Sequence, residues 1–333
     1  MSNNETRSEI ELSILVTVVS GKVGVRRCLQ ALLPQVRGID AEIIVPYDTW
    51  SLEIGELKAE FPEVNFHLIT DLGAAASPDI PSHQHRLYDR RRAVGLSLMR
   101  GRLIAMTEDL AVPAQDWISQ IMAAHKTQPY SVIGGVIDNA IDRPMNWALY
   151  YCDFGRFGSP LSAGNAEYVS DINVSYKREA IQSVRDIWQE AYHETTVHWA
   201  MRDRGIVLRL DPALKVYQHR PKISLSEAVG QRSEWGRIFA ETRVAEIGAG
   251  KRIFLAVFSP LLPVLLLVRI FKHMLRQGRT IGQIASALPI AFCLLAGWSW
   301  GELMGYVFGE PNPDEFKQVS GGELANSGIP QSE

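Results

Sequence analysis

Cysteine is scarce in this chain of 333 residues: Cys28, Cys152 and Cys293 are odd in number and far apart. That excludes a disulfide framework and a cysteine-built zinc site, and leaves reduced core or membrane thiols. Excess basic charge is also missing, because 34 Lys and Arg stand against 37 Asp and Glu for a formal net charge of -3. Nothing in that balance suits a DNA or RNA backbone, so nucleic acid is not an expected partner. The N-terminus, MSNNETRSEIE, has no apolar run that a secretory signal would need, which places the front of the chain in the cytosol. The first glycine turn, SGKVGV, supplies only Gly21 and Gly24. It lacks the G-x-G-x-x-G spacing, which disfavours a nicotinamide oxidoreductase.

What is present alternates between two periods. LSILVTVV, Leu12 to Val19, is short and rich in β-branched residues, and the helix-compatible VRRCLQALLPQV follows it. Further strands are expected at Glu42 to Val45, Asn65 to Ile69 and Leu103 to Thr107, with helices over SLEIGELKAEF, Arg90 to Arg100 and Trp117 to His125. Such alternation predicts βαβ units and an α/β fold with a mostly parallel, Rossmann-like sheet. Open parallel sheets gather ligands at the carboxyl ends of their strands, which is where Asp48 and the pair Glu108-Asp109 fall.

Beyond Arg220 a polar stretch leads to two apolar blocks, Ile253 to Phe271 and Ile281 to Phe308. Each is long enough to cross a bilayer, for which about 20 residues suffice. Pro260, Pro263, Pro289 and Glu302 interrupt them, which favours kinked or re-entrant helices over plain spans. Lys251 and Arg252 precede the first block, and Lys272, His273, Arg276 and Arg279 lie at its far end. Basic residues at both ends predict a monotopic or re-entrant hairpin on the cytoplasmic side, with a two-span hairpin as the alternative. The tail after Gly309 has the composition of a disordered segment.

The stretch RLIAMTEDLAVPAQDW runs from a strand into two acids, a proline and a tryptophan. Adjacent carboxylates at a strand end can hold a hard divalent cation whose remaining shell comes from water and substrate phosphates. Alone, such a pair is more often a solvated turn. This stretch, however, resembles the acidic region of family-two glycosyltransferases, enzymes of the A-type glycosyltransferase fold, and the resemblance covers about the first 240 residues. It implies that Asp109 binds Mn2+ or Mg2+, that Glu108 assists the nucleotide-sugar, and that Thr107 stands where the first acid of the pattern is usual. EIIVPYD is similar to the second strand of that family, which gives Asp48 a role at the base or ribose. RRAVGLSLMRGRLIAMTED is similar to the helix before the acidic cluster, which brings Arg92 to the nucleotide or diphosphate.

Downstream, VIGGVIDN resembles the strand with paired glycines, making Gly134 and Gly135 acceptor-side candidates. DINVSYKREA resembles the donor-side segment, with Asp171 and Asn173 available to sugar hydroxyls. WQEAYHETTVHWAMRDRG has the layout of the Glu-Asp motif before a helix ending in glycine. The resemblance then assigns Glu194 as catalytic base, with His193 on the acceptor side. LDPALKVYQHRP resembles the strand and histidine that complete a metal site, which nominates His219. QRSEWGR does not match the Gln-x-x-Arg-Trp signature of processive synthases, so single or limited sugar addition is expected.

The resulting expectation is a metal-dependent, inverting transfer from a nucleotide-sugar to a lipid-linked, glycolipid or polysaccharide acceptor beside membrane lipids. The alternative is an inactive relative that binds a nucleotide or a partner protein. Expected divisions are a disordered N-terminus at 1–10, a catalytic domain at 11–224, a linker or interfacial helix at 225–252, membrane-associated helices at 253–309 and a disordered tail at 310–333.

Overall fold

The computed structural model describes residues 10–72, 81–244 and 247–309, with the side chains of 81–85 and 242 left aside. The expectations for residues 1–9 and 310–333 lie outside the described residues. Nine strands form one mixed sheet: β1 (Leu12–Thr17), β2 (Ala41–Asp48), β3 (Asn65–Ile69), β4 (Leu103–Glu108), β5 (Ala111–Pro113), β6 (Val132–Asn139), β7 (Gly164–Ala166), β8 (Val174–Lys177) and β9 (Leu208–Gln218). Their order is β3-β2-β1-β4-β8-β6-β9-β5, with β7 beside β9. The block β3-β2-β1-β4 is parallel, as the βαβ reading predicts. β8 enters antiparallel to both β4 and β6, and β6 and β9 are parallel to each other.

The alternation of side chains along β1 sorts the core into two layers. Ile14 and Val16 point toward α1 (Lys22–Val36) and α3 (Trp117–Thr127), meeting Cys28, Leu29, Trp117 and Ile121. Leu15 points the other way, toward α2 (Pro81–Leu98) and α7 (Glu194–Asp203), with Leu96, Tyr176, Val197 and Met201. Helices α5 (Arg178–Gln182) and α6 (Arg185–Trp188) connect β8 to α7. With both faces covered, the ends of the strands are the open ground for a site.

The C-terminal third consists of α8 (Leu225–Val244), α9 (Ala249–Phe258), a 3-10 turn (Ser259–Leu261), α10 (Leu262–Arg276) and α11 (Ile281–Phe308). The first apolar block therefore breaks at its prolines, because Pro260 and Pro263 cannot donate to the preceding turn. The second runs through Pro289 as one helix. Two segments, Ala249–Arg276 and Ile281–Phe308, are long and apolar enough to cross a membrane by length and composition.

α11 is not a detached appendage. Its first half buries Ile284, Ala287, Ala291 and Leu294 against Trp147, Tyr150 and Tyr151 of α4 (Pro144–Asp153). Its second half carries Gly297, Gly301 and Gly305 at a spacing of four, forming one small-residue ridge against α8. A Cβ on Gly301 would lie 1.8 Å from the Ser233 carbonyl oxygen, and one on Gly236 of α8 would lie 2.1 Å from that of Trp298. Side chains there would force the backbones apart, so glycine is what permits this approach. The α10–α11 turn is bound to the α/β body: Gln277 Nε2 donates to the Gly155 carbonyl at 2.7 Å, Tyr151 Oη donates to Gln277 Oε1 at 2.7 Å, and Arg279 stacks over Trp147. By contrast, α9 and α10 turn Ile253, Val257, Leu265 and Val268 outward, with Ile253 64% and Val257 65% exposed.

Gly301→Val should therefore lower stability by about 1–3 kcal/mol or more, as overpacking does. Gly250→Ala, where a Cβ meets nothing within 4 Å, should leave it unchanged or slightly higher. Urea unfolding of both variants checks this, and equal midpoints would show that the close helix contact carries no stability.

Candidate functional site

At the carboxyl end of β4 the chain places a buried guanidinium among three carboxylates. Arg92, on α2, reaches Asp171 at 2.8 Å, Asp89 at 3.2 Å and Glu108 at 3.7 Å. Asp89 and Arg92 lie three residues apart on one helix face, so local geometry pairs them. Glu108 arrives from the end of β4, and Asp171 from the connection between β7 and β8. The Asp171 backbone N–H donates to Glu194 Oε2 at 3.0 Å, which fixes the first residue of α7 beside the cluster. Arg92, Glu108 and Glu194 are thus brought into one neighbourhood from α2, β4 and α7, and Asp171 links them.

The other nominated residues are engaged differently. Asp109 accepts backbone N–H groups from Val19, Ser20 and Gly21 at 2.9–3.1 Å, using both carboxylate oxygens. It caps the turn from β1 into α1, where Gly21 has φ +97°, a value glycine adopts without steric cost. Asp48 is fully buried and paired with Arg91 at 2.7 Å, while its other oxygen accepts the Trp50 N–H. Arg91 thus meets Asp48, and its neighbour Arg92 meets the acid cluster.

Asn173 has its amide spent inside the protein: Oδ1 accepts the Trp117 indole N–H at 2.8 Å, and Nδ2 donates to the carbonyls of Val136 and Leu214. Gly134 and Gly135 sit in β6 at a register shift. A Cβ on Gly134 would meet Val169 at 2.5 Å, and one on Gly135 would meet the Leu214 carbonyl oxygen at 2.0 Å, so both permit close internal packing. His193 precedes α7 with Nδ1 3.0 Å from Thr196 Oγ1. His219 follows β9, and its backbone N–H donates to the Leu110 carbonyl at 2.7 Å. Thr107 is buried.

Among the described residues no group of three or more His, Cys, Asp or Glu side chains is arranged to hold a metal ion. The densest acid cluster already has a cation at its centre, the Arg92 guanidinium, and both oxygens of Asp109 are taken. The His219 backbone N–H meets the carbonyl of Leu110, the residue after Asp109, so the two nominated ligands lie on neighbouring segments.

Burial drives the electrostatics of the cluster. It pushes Glu108 from its ordinary 4.5 up to about 8, with Asp171 adding to the rise and Arg92 opposing it. Asp89 rises from 3.8 to about 8 for the same first reason, again opposed by Arg92. Glu194 is pushed well above the carboxylate range by burial and then by Asp171, with Arg156 pulling it down. Arg92 itself is held more firmly protonated by Asp171, Asp89 and Glu108, against its own burial. Burial lifts Asp109 to about 6 against the pull of its backbone partners.

Sequence reasoning passed over Asp89, Arg91 and Arg156. Asp89 was visible as the i,i+3 partner of Arg92. Arg156 stacks over Tyr168 at 4.1 Å in the turn after α4, where FGRFGS carries no signal.

No family model matches the sequence, and no curated protein matches it. Among solved structures, the chain is similar to the mannosyltransferase PcManGT from Pyrobaculum calidifontis, solved with GDP-Man and Mn2+. That similarity has 12% identity and a TM-score of 0.43 over 89% of this chain and 74% of the other.

Two outcomes test the site. An acid with a raised folded-state pKa binds its proton more tightly folded than unfolded, so its contribution falls as pH rises from about 4.5 to about 8. Glu108→Gln should flatten that loss in urea midpoints measured across the same window, and an unchanged slope would place the titration elsewhere. Asp109→Asn should cost about 1–3 kcal/mol, because one amide oxygen cannot replace two charged acceptors. Unaltered stability with lost metal-dependent nucleotide binding would return Asp109 to the metal.

Proposed function

We propose that the chain is a glycosyltransferase of the A-type fold, similar to family two, that transfers a sugar from a nucleotide-sugar with inversion. The observation that carries this reading is the Arg92, Glu108, Asp171 and Glu194 neighbourhood at the carboxyl ends of the strands. Residues 11–224 supply that site. Arg92 is the group for the donor diphosphate, and Asp48 with Arg91 borders the end of β2 where a base or ribose would lie. Glu194 is the base: in its ionised form it takes the proton of an acceptor hydroxyl as the new bond forms. Asp171 positions it by a backbone N–H, while the Asp171 carboxylate beside it raises its proton affinity. Gly134, Gly135 and His193 lie in the acceptor-side proposal through β6 and the start of α7, and Asn173 supports the floor beneath it.

A divalent ion, Mn2+ or Mg2+, enters this reading as a companion of the donor diphosphate and supplies charge neutralisation when bound. No step is assigned to it; Asp109 and His219, whose backbone N–H meets the carbonyl of the neighbouring Leu110, would border it. Thr107 and His193, standing where the family's pattern has acids, favour a second reading, a relative that binds a nucleotide without turnover. Nucleoside diphosphate release from a panel of nucleotide-sugars, with and without Mn2+, separates the two.

Attachment to the cytoplasmic membrane face is part of the proposal. The outward apolar face of α9 and α10 exceeds what a soluble monomer ordinarily exposes, and Lys251, Lys272 and Arg276 can meet anionic headgroups. Contacts of Gln277 and Arg279 with Gly155, Tyr151 and Trp147 favour an interfacial hairpin, since two spans would carry that turn across the bilayer. Residues 225–252 join it to the catalytic part, and the acceptor is a lipid-linked, glycolipid or polysaccharide saccharide.

Glu194→Gln should lower turnover by roughly two or more orders of magnitude while donor affinity stays within about twofold, the pattern of a lost base. Single-turnover kinetics with equilibrium donor binding reads both quantities. Parallel loss of binding would make Glu194 a structural residue.

A further inference from the structure

Outside the acid cluster, the layer between the sheet and α7 holds a second set of polar side chains. Tyr176 of β8 places its hydroxyl oxygen 2.7 Å from the Tyr192 hydroxyl and 2.8 Å from His198 Nε2. All three residues are fully buried, in a layer otherwise built from side chains such as Leu15, Leu96, Val197 and Met201. Burial pushes His198 down to about 4, so the imidazole is neutral near neutral pH. Its Nδ1 meets no partner among the described residues, which leaves Tyr176 as the group that satisfies the ring.

These residues bracket the proposed base. Tyr192 lies two residues before Glu194, and His198 lies four after it on α7, one turn along the same face. The Tyr192 backbone N–H also donates to the Asp89 carbonyl at 3.0 Å, which joins this segment to the helix that carries Arg92. His193, before α7, does not cap it through its side chain, and an uncapped first turn keeps orphan N–H groups. Apolar side chains of the same shape could fill this layer at nearly equal stability, but they would let α7 slide against β8. A satisfied chain of hydrogen bonds specifies one arrangement.

We propose that Tyr176 is a positioning residue for Glu194: its hydroxyl ties the residues on both sides of that carboxylate to β8, and so fixes where the carboxylate meets an acceptor hydroxyl. The Asp171 N–H that donates to Glu194 Oε2 at 3.0 Å lies on the segment entering the same strand. Both supports of the base therefore come from β8 and its approach. This inference rests on the reading of Glu194 as the base of a glycosyltransferase.

The test is a double-mutant cycle on the full chain in detergent micelles, with single-turnover rates and donor affinities for Tyr176→Phe, Glu194→Gln and the double variant. Tyr176→Phe should lower turnover about tenfold or more with donor affinity within about twofold. In the Glu194→Gln background the same change should cost less than about twofold, because displacing a base matters only where there is one. A hydroxyl that serves stability alone costs the same factor in both backgrounds, the pattern expected of Tyr150→Phe, which takes a buried hydroxyl from the Ile137 carbonyl. Equal factors for Tyr176→Phe, or no loss beside native Glu194, overturn the proposal and leave the transferase reading standing if Glu194→Gln is itself impaired. An unimpaired Glu194→Gln overturns both. If Tyr176→Phe does not fold, Tyr192→Phe, which spares the contact of Tyr176 with His198, takes its place in the cycle. Amide hydrogen exchange decides without turnover: Val197 to Met201 should exchange about fivefold faster or more in Tyr176→Phe while α1 is unchanged. Unaltered exchange in α7 overturns the proposal even in a chain that turns over no nucleotide-sugar.

Discussion

The Arg92 guanidinium is the constraint on which the site depends. A buried cation requires partners, and this one draws Asp89 from its own helix, Glu108 from the end of β4 and Asp171 from a connection 79 residues further along the chain. One positive charge cannot balance three ionised acids at such depth, so part of the cluster stays protonated near neutrality, in line with the raised Glu108 and Asp89. Removing the guanidinium would leave buried acids without their shared partner, which costs more than any one contact is worth. The arrangement thus locks α2 to the sheet and, through the Asp171 N–H, sets where α7 begins.

Much of this was legible in the sequence. Short apolar runs located β1 to β4, and the acid pair at the end of β4 was visible as a feature of a strand terminus. What each acid does was not legible. Glu108 and Asp109 are adjacent, yet one faces Arg92 and the other caps the β1–α1 turn 88–90 residues away. Consecutive residues at a strand end point in different directions, so a change of partner costs no change of motif. Asn173 shows the same limit: an amide conspicuous in a donor-like segment is consumed by Trp117, Val136 and Leu214. The antiparallel entry of β8 between β4 and β6 also left no local signature, since strand direction is decided by connections and not by composition.

The C-terminal helices illustrate a different loss of information. Hydropathy distinguished both apolar blocks but could not say which surfaces they cover. In α11 the answer was partly written in Gly297, Gly301 and Gly305, whose spacing of four marks a close helix contact. The partner, α8, reads as a polar linker, yet its contact face brings the Ser233 backbone and Gly236 against α11 and buries Phe239 beside Trp298. A helix with ample charge on its outer face can still bury a continuous ridge.

Charge is therefore ordered along the molecule: acids concentrate at the strand ends, and Arg156, Arg232 and Arg269 line a cleft beside the apolar hairpin. Arg156 and Glu194 form the boundary between the two fields. An uncharged connection there would leave the carboxylate under the influence of Asp171 alone and raise its proton affinity further. An intact arginine moderates that rise, because opposite charges favour the ionised form. The side chain that lines this cleft thus also tunes the carboxylate beside the acid cluster. Coupling of that kind needs no moving lid, only a shared guanidinium held in place by Phe157 and Tyr168, the rings that flank it.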